Sequence, residues 1–206
     1  NADIHARDIR IDAEGSRFVL VSPQGEVEVA LPMAGRHNVA NALAAASMAL
    51  AVGASLAQVR AGLESVQPVA GRLVAHALRS GAVLVDDSYN ANPGSLAAAI
   101  DTLAGSGDEA WLERGDMRER GADATALHAQ AGEQAKAAGI ARLFTLGALS
   151  AHATQAFGDG ARAFDTHEAL ADALAVGLRP NVRVLVKGSR GSAMDRIVKA
   201  LLQRDA

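Results

Sequence analysis

The segment 86–93 (DDSYNANP) combines two carboxylates, a hydroxyl, a phenol and two carboxamides in eight consecutive residues. A carboxylate can accept hydrogen bonds from ribose hydroxyls, and a carboxamide offers both a donor and an acceptor to the edge of an adenine ring. A hydrophilic loop with Asx turns and an Asn-Pro stop accounts for the same residues equally well. The candidate site residues of this segment are Asp86, Asp87, Ser88, Tyr89, Asn90 and Asn92.

The segment 187–190 (KGSR) is a second candidate site, because it places two cations before a predicted helix. Cationic side chains and the free N–H groups of a helix N-terminus both favour an anion, such as a phosphate or a carboxylate. So short a motif is also explained by an ordinary turn between a strand and a helix, with its charges in water. Lys187 and Arg190 are therefore candidates for holding an anionic group.

Two shorter motifs add one candidate residue each. The Gly-Asp-Met motif at 115–117 follows a predicted strand, and Asp116 could orient a cation or an amine there. A turn aspartate is the simpler explanation of Asp116. The Gly-Arg-Leu motif at 71–73 lies in a predicted linker, where Arg72 could face nucleotide phosphates or could be an exposed residue of a flexible hinge.

Asn38 and Asn41 lie three residues apart near the start of a predicted helix, so their side chains share a face. Asn38 is explained as the N-cap of that helix. Asn41 is harder to explain, because alanine would suit the helix interior better. The neighbouring His37 has no second histidine at metal-binding spacing, so the sequence predicts no zinc site and no other metal site.

The first seventy residues, which must position the two asparagines, predict a β-hairpin followed by helices. A strand pattern at 17–22, an alternating pattern at 27–31 and a Pro-Gly turn between them indicate an antiparallel pair. One helix should stop at Gly53. The next should open at Ser55, with Gln58 completing a capping box.

After a linker at 67–73 the pattern becomes strand, loop and helix, repeated. Buried strands are predicted at 82–85, 143–146 and 182–186, and helices from about 95 and near 123–138, 148–157, 166–177 and 192–203. This alternation predicts an α/β fold with a Rossmann-like, mostly parallel sheet and flanking helices. Such sheets bind ligands at the carboxyl ends of their strands, which is where the loops after residues 85, 114 and 186 should lie.

The composition excludes several classes of protein. A net charge of −3 leaves no electrostatic footprint for nucleic acid. The absence of cysteine excludes disulfides and thiolate metal sites. The sequence has no apolar run of about 18 residues and no signal pattern, so no membrane insertion is expected. We therefore expect a soluble, cytoplasmic protein, and a monomer.

Taken together and in order, five motifs resemble the Mur ligase family, and within it the MurF type. They are GRHNVANALAAA at 35–46, GRL at 71–73, DDSYNANP at 86–93, GDM at 115–117 and KGSR at 187–190. The resemblance runs from about residue 4 to about residue 202. It implies that residues 1–70 are the C-terminal part of a central ATPase domain, that 71–73 are a hinge, and that 74–206 are a C-terminal Rossmann-like domain.

The resemblance implies an ATP-dependent amide ligase of peptidoglycan synthesis. ATP would phosphorylate the terminal carboxylate of UDP-N-acetylmuramoyl-tripeptide, and the amine of D-alanyl-D-alanine would attack the resulting acyl phosphate. The physical problem is to hold two anions and an amine together while charge develops.

The same resemblance assigns a role to each candidate residue. Asn38 and Asn41 would contact adenine, Asp86 would contact the ribose, and Arg72 would approach the phosphates. The residues that would bind the dipeptide substrate are Asp87, Ser88, Tyr89, Asn90, Asn92 and Asp116. Lys187 and Arg190 would act in catalysis, close to the phosphate being transferred.

The chain departs from the family in lacking a Gly-x-x-x-x-Gly-Lys-Ser/Thr loop. The family keeps that loop and the ligands of the Mg²⁺ that accompanies ATP in the part that precedes residue 1. We therefore predict that this chain is inactive alone and that it binds nucleotide only weakly.

A second departure concerns Glu113 and Arg114, which fall where a buried parallel strand should be apolar on both faces. Burying unpaired charges is costly. We therefore expect either that the strand stops near Leu112 or that both charges reach solvent or partners.

Three alternatives remain open at this stage. One is another ligase of the superfamily, such as folylpolyglutamate synthase or an enzyme that adds a different amino acid. Another is a non-catalytic nucleotide-binding module, which would not need the missing phosphate loop. A dinucleotide-binding oxidoreductase has little support, because no Gly-x-Gly-x-x-Gly follows a strand.

Overall fold

The computed structural model describes residues 3–12, 15–67, 69–117 and 123–205. The chain divides into two units, Asn1–Pro68 and Val69–Ala206. The predicted domain bounds and the hinge at 71–73 stay predictions. Within the described residues, no helix is long and apolar enough to cross a membrane.

The first unit packs a three-stranded antiparallel sheet against two helices. Its elements are β1 (His5–Ile11), β2 (Ser16–Ser22), β3 (Gly25–Leu31), α1 (Arg36–Ala51) and α2 (Leu56–Glu64), with strand order β1-β2-β3. The predicted hairpin is β2 and β3, which pair from Ser16 and Leu31 to Ser22 and Gly25 at the turn. Alternate residues of both strands, including Phe18 and Leu20, are buried against the two helices.

The helix starts of this unit agree with the sequence in one case and differ in the other. The capping box predicted for α2 is confirmed, because Ser55 accepts from the N–H of Gln58 and the Gln58 side chain accepts from the N–H of Ser55. The prediction that Asn38 caps α1 is wrong. The cap is Gly35, whose φ of 109° favours glycine and whose carbonyl accepts the first N–H groups of the helix.

The second unit is a six-stranded sheet with helices on both faces, so the predicted Rossmann-like, mostly parallel architecture is confirmed. The strands are β4 (Val74–Ala77), β5 (Val83–Asp87), β6 (Glu109–Gly115), β7 (Arg142–Leu146), β8 (Ala161–Phe164) and β9 (Val182–Lys187). Their order is β4-β5-β9-β6-β7-β8, and of these six strands the edge strand β4 runs antiparallel to its neighbour while the others pair in parallel. The last strand therefore returns between β5 and β6, which brings the carboxyl ends of these three strands side by side.

Among the described residues, five α-helices cover the faces of this sheet, and their packing forms two cores. They are α3 (Pro93–Ala104), α4 (Ala124–Ala137), α5 (Ala151–Phe157), α6 (His167–Gly177) and α7 (Asp195–Asp205). Leu96, Ile100 and Ala135 belong to the core on one face, and Leu170 and Ile197 to the core on the other. Helix α7 begins later than predicted because residues 190–192 form a separate 3-10 turn and the next residue adopts a left-handed φ of 49°.

Strand β6 contradicts the expectation for its two charged residues. The strand continues to Gly115 because it pairs with β7 and β9 on its two sides, and this pairing carries Glu113 and Arg114 into the sheet. Glu113 is 0% exposed and Arg114 is 1% exposed. Among the described residues, both Glu113 carboxylate oxygens lack a hydrogen-bond partner, and Arg114 makes one long bond of 3.4 Å to the carbonyl of His128.

Burial changes the acidity of both side chains. It raises the pKa of the Glu113 carboxyl well above its usual range, because a buried carboxylate loses its hydration. It lowers the pKa of the Arg114 guanidinium to about 10, and the nearby Asp116 carboxylate partly opposes this change. The core of this sheet therefore contains a carboxyl group whose neutral form is favoured by burial.

Candidate functional site

Lys187, at the end of β9, joins the two longest sequence motifs of the second unit. Its Nζ donates to Asp87 Oδ2 at 2.5 Å and to the backbone carbonyl of Asn90 at 3.2 Å. These contacts follow from the sheet register, because Asp87 pairs with Lys187 across β5 and β9. The side chains of Lys187 and Asp87 are only 3% and 13% exposed. The ion pair is therefore shielded from water, which strengthens its charge-assisted hydrogen bond.

Asp86 points the other way from its neighbour and accepts three hydrogen bonds from within the chain. Oδ1 accepts from the N–H and the hydroxyl of Ser88, at 3.1 and 2.6 Å, and Oδ2 accepts from the N–H of Gly71 at 3.1 Å. The predicted strand ended at residue 85, whereas pairing with β9 extends β5 through both aspartates. The role predicted for Asp86 as a ribose ligand stays a prediction.

Arg72 lies against Tyr89 rather than against a carboxylate. Its guanidinium carbon is 4.4 Å from the centroid of the Tyr89 ring, close enough for a cation–π contact. The Tyr89 side chain is exposed. The linker motif and the loop after β5, which are separate in the sequence, thus meet at one surface.

Asn90 and Asn92 make local hydrogen bonds in the loop. Asn92 caps α3: its Oδ1 accepts from the N–H of Ser95 at 2.8 Å, and its own N–H donates to the Ser95 hydroxyl at 3.1 Å. The Asn90 side chain accepts from the N–H of Ala91 at 2.8 Å. Both asparagines are exposed. Because their side-chain oxygens accept within the loop, the amide N–H donors of these exposed residues are what they could offer to a ligand.

Asp116 connects the loops after β6 and β7. Its Oδ1 accepts from the N–H and from the hydroxyl of Ser150, both at 2.7 Å. Its backbone carbonyl accepts from the hydroxyl of Ser189 at 2.5 Å. The loop after β6 is thereby linked to the turn that carries Arg190.

A cleft of about 500 Å³ opens beside these residues. Its lining includes the predicted residues Asp86, Ser88, Tyr89 and Arg190. It also includes His76 and Lys199, which the sequence reasoning missed because neither belongs to a recognisable motif. Arg190 is exposed, and it makes no ion pair in the described part of the chain, so its charge is available to an anion.

Asn38 and Asn41 belong to the first unit. Asn38 is buried, and its Nδ2 donates to the carbonyl of Ala34 at 2.8 Å. Asn41 is exposed on α1. The two side chains were predicted to share a helix face. In the structure, the Asn38 amide lies inside the unit and Asn41 lies at its surface. Their predicted contacts with adenine stay predictions.

Within the described residues, no three histidine, aspartate or glutamate side chains gather closely enough to hold a metal ion. The carboxylates of the site are already engaged by Lys187, Gly71, Ser88 and Ser150.

Two sequence families match this chain. "Mur ligase, glutamate ligase domain" matches residues 71–190, and "Mur ligase middle domain" matches residues 1–49. The chain belongs to the Mur ligase family. This membership agrees with the resemblance carried by the five motifs.

Curated relatives named UDP-N-acetylmuramoyl-tripeptide–D-alanyl-D-alanine ligase resemble the chain along nearly its whole length. The protein of Escherichia coli K12 is 43% identical over 98% of this chain and 45% of its own length. That of Haemophilus influenzae is 39% identical over 97% of this chain and 44% of its own length. The chain thus spans somewhat less than half of these relatives.

Solved structures of Mur ligases share the fold. A crystal structure of MurF from Acinetobacter baumannii superposes with a TM-score of 0.88 at 31% identity, over 98% of this chain and 45% of that one. MurF from Thermotoga maritima in complex with ADP superposes with a TM-score of 0.84 at 20% identity, over 100% of this chain and 48% of that one. At that identity the second match shows the fold alone.

Proposed function

We propose that this chain is part of an ATP-dependent amide ligase that joins D-alanyl-D-alanine to UDP-N-acetylmuramoyl-tripeptide in peptidoglycan synthesis. The observation that carries the proposal is its similarity, at 43% identity over 98% of the chain, to a ligase named for that reaction. The reaction would be cytoplasmic, and the enzyme would act as a monomer.

The proposed reaction has two steps. The terminal carboxylate of the tripeptide attacks the γ-phosphorus of ATP, so that an acyl phosphate forms and ADP leaves. The amine of the dipeptide then attacks the acyl carbon, a proton leaves the nitrogen, and the tetrahedral intermediate collapses to an amide and inorganic phosphate. Mg²⁺ would accompany ATP, with its protein ligands outside this chain.

Lys187 and Arg190 would stabilise the negative charge of the acyl phosphate and of the phosphate that leaves. Support comes from the exposed charge of Arg190, which has no ion pair among the described residues, and from the position of Lys187 at a strand end, where sheets of this type bind ligands. Lys187 is already bonded to Asp87, so its ammonium group is held in place before any substrate arrives. Such preorganisation lowers the cost of stabilising charge as it develops.

The remaining residues would bind two of the three substrates, ATP and D-alanyl-D-alanine. Arg72 would approach the ATP phosphates, and Asn38 and Asn41 would contact adenine. The residues proposed to bind D-alanyl-D-alanine are Asp87, Ser88, Tyr89, Asn90, Asn92 and Asp116. The surface amides of Asn90 and Asn92 suit a peptide substrate, because a carboxamide can donate to a carboxylate or to a peptide carbonyl.

The test uses the full-length ligase that contains this chain, because the 206 residues hold no Gly-x-x-x-x-Gly-Lys-Ser/Thr loop. ADP release is measured with UDP-N-acetylmuramoyl-tripeptide and a panel of amines: D-alanyl-D-alanine, D-glutamate, L-alanine and meso-diaminopimelate. Release that depends on D-alanyl-D-alanine supports the proposal. Release that depends on another amine would assign a different ligase, and release with none would favour a non-catalytic nucleotide-binding module.

A further inference from the structure

The peptide group of Gly71 is held on two sides by the segment that ends β5. Its N–H donates to Asp86 Oδ2 at 3.1 Å, and its carbonyl accepts from the N–H of Tyr89 at 3.0 Å. The three residues lie in the same unit of the chain. We call this arrangement of Asp86, Gly71 and the Tyr89 backbone the Gly71 clamp.

Glycine is required in the clamp for two reasons. Gly71 has a φ of 76°, in the left-handed region that side chains disfavour. A Cβ atom at this position would also lie 2.9 Å from the Tyr89 nitrogen, closer than real Cβ atoms come, and a tight 3.1 Å from the Tyr89 Cβ. The Tyr89 backbone therefore lies directly against the linker, and a side chain at position 71 would push the two hydrogen-bonded segments apart.

The next residue, Arg72, takes its position from the clamp. Its backbone follows the fixed peptide of Gly71, and its guanidinium stacks on the ring of Tyr89. Leu73, on its other side, has a left-handed φ of 55°. Both the backbone and the head group of Arg72 are therefore oriented by residues 86–89.

The Asp86 carboxylate has little capacity left for an external ligand. It accepts three hydrogen bonds within the chain, and the residue is 8% exposed. A ribose hydroxyl would have to compete with the Ser88 hydroxyl or with the Gly71 N–H for its lone pairs. A buried acceptor that is already satisfied gains little from such an exchange.

We propose that Asp86 is a positioning residue that acts through the Gly71 clamp and holds Arg72 in the orientation that meets the ATP phosphates. The proposal rests on the proposed function, because the phosphate contact of Arg72 belongs to that function. It differs from the ribose role expected for Asp86, since the carboxylate acts on the linker and not on the nucleotide.

Two substitutions disturb the clamp from opposite sides. Asp86→Asn keeps the size of the side chain, but one carboxamide cannot accept from both Ser88 and Gly71. Gly71→Ala leaves the carboxylate intact and introduces the close contacts with Tyr89. In the full-length ligase, we expect both variants to lower kcat by about 10- to 100-fold, because a small misplacement of a charge-stabilising group is enough for such a loss. Asp101→Asn, an exposed carboxylate on α3, is the control and should keep wild-type activity.

Deoxynucleotides separate positioning from a ribose contact. The ratio of kcat/KM for ATP to kcat/KM for 2′-deoxyATP and for 3′-deoxyATP is measured for the wild type and for both variants. If Asp86 acts through the clamp, Asp86→Asn keeps the wild-type ratios. Two results together would overturn the proposal. In Asp86→Asn, the KM for ATP would rise and discrimination against one deoxynucleotide would be lost, and Gly71→Ala would keep wild-type activity.

Hydrogen–deuterium exchange of the full-length ligase tests the clamp without reference to activity. In Asp86→Ala, the amide of Gly71 should lose protection by about 10-fold or more, because no side-chain acceptor remains at position 86. Amides of β9 should keep theirs, which shows that the sheet is intact. Unchanged exchange at Gly71 would refute the clamp whatever the enzyme's activity. A wild-type enzyme that ligates no amine would refute the proposed function. The exchange measurement would still test whether the clamp exists.

Discussion

Glu113 provides the sharpest test of the energetics of this fold, because it is a buried carboxyl group in the middle of β6. Its oxygens lack hydrogen-bond partners among the described residues, and it lies between β7 and β9. Replacing it with leucine removes the unsatisfied oxygens and keeps a side chain of similar size. We expect Glu113→Leu to increase the free energy of unfolding.

Two contributions set the size of the effect. An unsatisfied buried polar group costs about 1–3 kcal/mol. The second contribution depends on pH, because burial raises the pKa of the folded carboxyl well above its ordinary value of 4.5. Between the unfolded and the folded pKa, the folded state binds more protons than the unfolded state. The wild type therefore loses about 1.4 kcal/mol of stability for each pH unit of increase above the unfolded pKa, until pH reaches the folded pKa.

The stabilisation by Glu113→Leu should therefore be smallest near pH 5 and should grow as pH rises towards 7. Glu113→Gln isolates the second contribution, because a carboxamide keeps the shape and does not titrate. The difference in stability between this variant and the wild type should show the same rise with pH. A difference that stays constant between pH 5 and 7 would refute the reasoning, since it would mean that the carboxyl does not titrate differently in the two states.

Urea denaturation followed by fluorescence measures these differences. Trp111 is the single tryptophan of the chain, is 2% exposed and lies in the same strand as Glu113, so its emission reports the unfolding of the second unit. Glu133→Leu, on the exposed face of α4, is the matched control, and we expect it to change stability by less than about 0.5 kcal/mol. A Glu113→Leu variant less stable than the wild type would show that the carboxyl is satisfied in the folded protein.

Three further predictions concern the site and the packing around it. Lys187→Met should remove the charge-assisted hydrogen bond to Asp87, which lowers stability by about 1.5–3 kcal/mol in urea denaturation, and should abolish ADP release by the full-length ligase. Full activity in this variant would exclude the catalytic role. Asn92→Ala should cost about 1 kcal/mol through loss of the α3 cap, and Asn92→Asp should restore that stability because it keeps the capping oxygen. Gly132→Ala should destabilise by about 1–3 kcal/mol, because its Cβ would lie 2.2 Å from a carbonyl oxygen of α5. Its control, Gly62→Ala, has open space around it in α2 and should stabilise by about 0.5–1 kcal/mol; equal effects of the two in thermal unfolding would contradict the packing argument.

Local chemistry made several elements predictable from the sequence. Ser55 and Gln58 form the predicted capping box, because both partners of that motif lie within one helical turn. The alternation of strands and helices after residue 73 predicted a parallel sheet. Neighbouring parallel strands need a long crossover connection, and a helix between two strands usually provides it. Asn38 was misplaced because a glycine with positive φ can start a helix without any side-chain cap, and the sequence alone did not distinguish the two possibilities.

The sequence by itself determined the family, the type of fold and the identity of the candidate residues, because these depend on short motifs and on hydrophobic periodicity. The tertiary structure decided what those residues touch. Lys187 meets Asp87, 100 residues away, only because β9 inserts beside β5 in a register that pairs the two. Strand pairing likewise directs Asp86 towards the linker and carries Glu113 into the core. A strand's neighbours and register are set by long-range pairing and burial, and these determine which polar groups find partners and which remain without them.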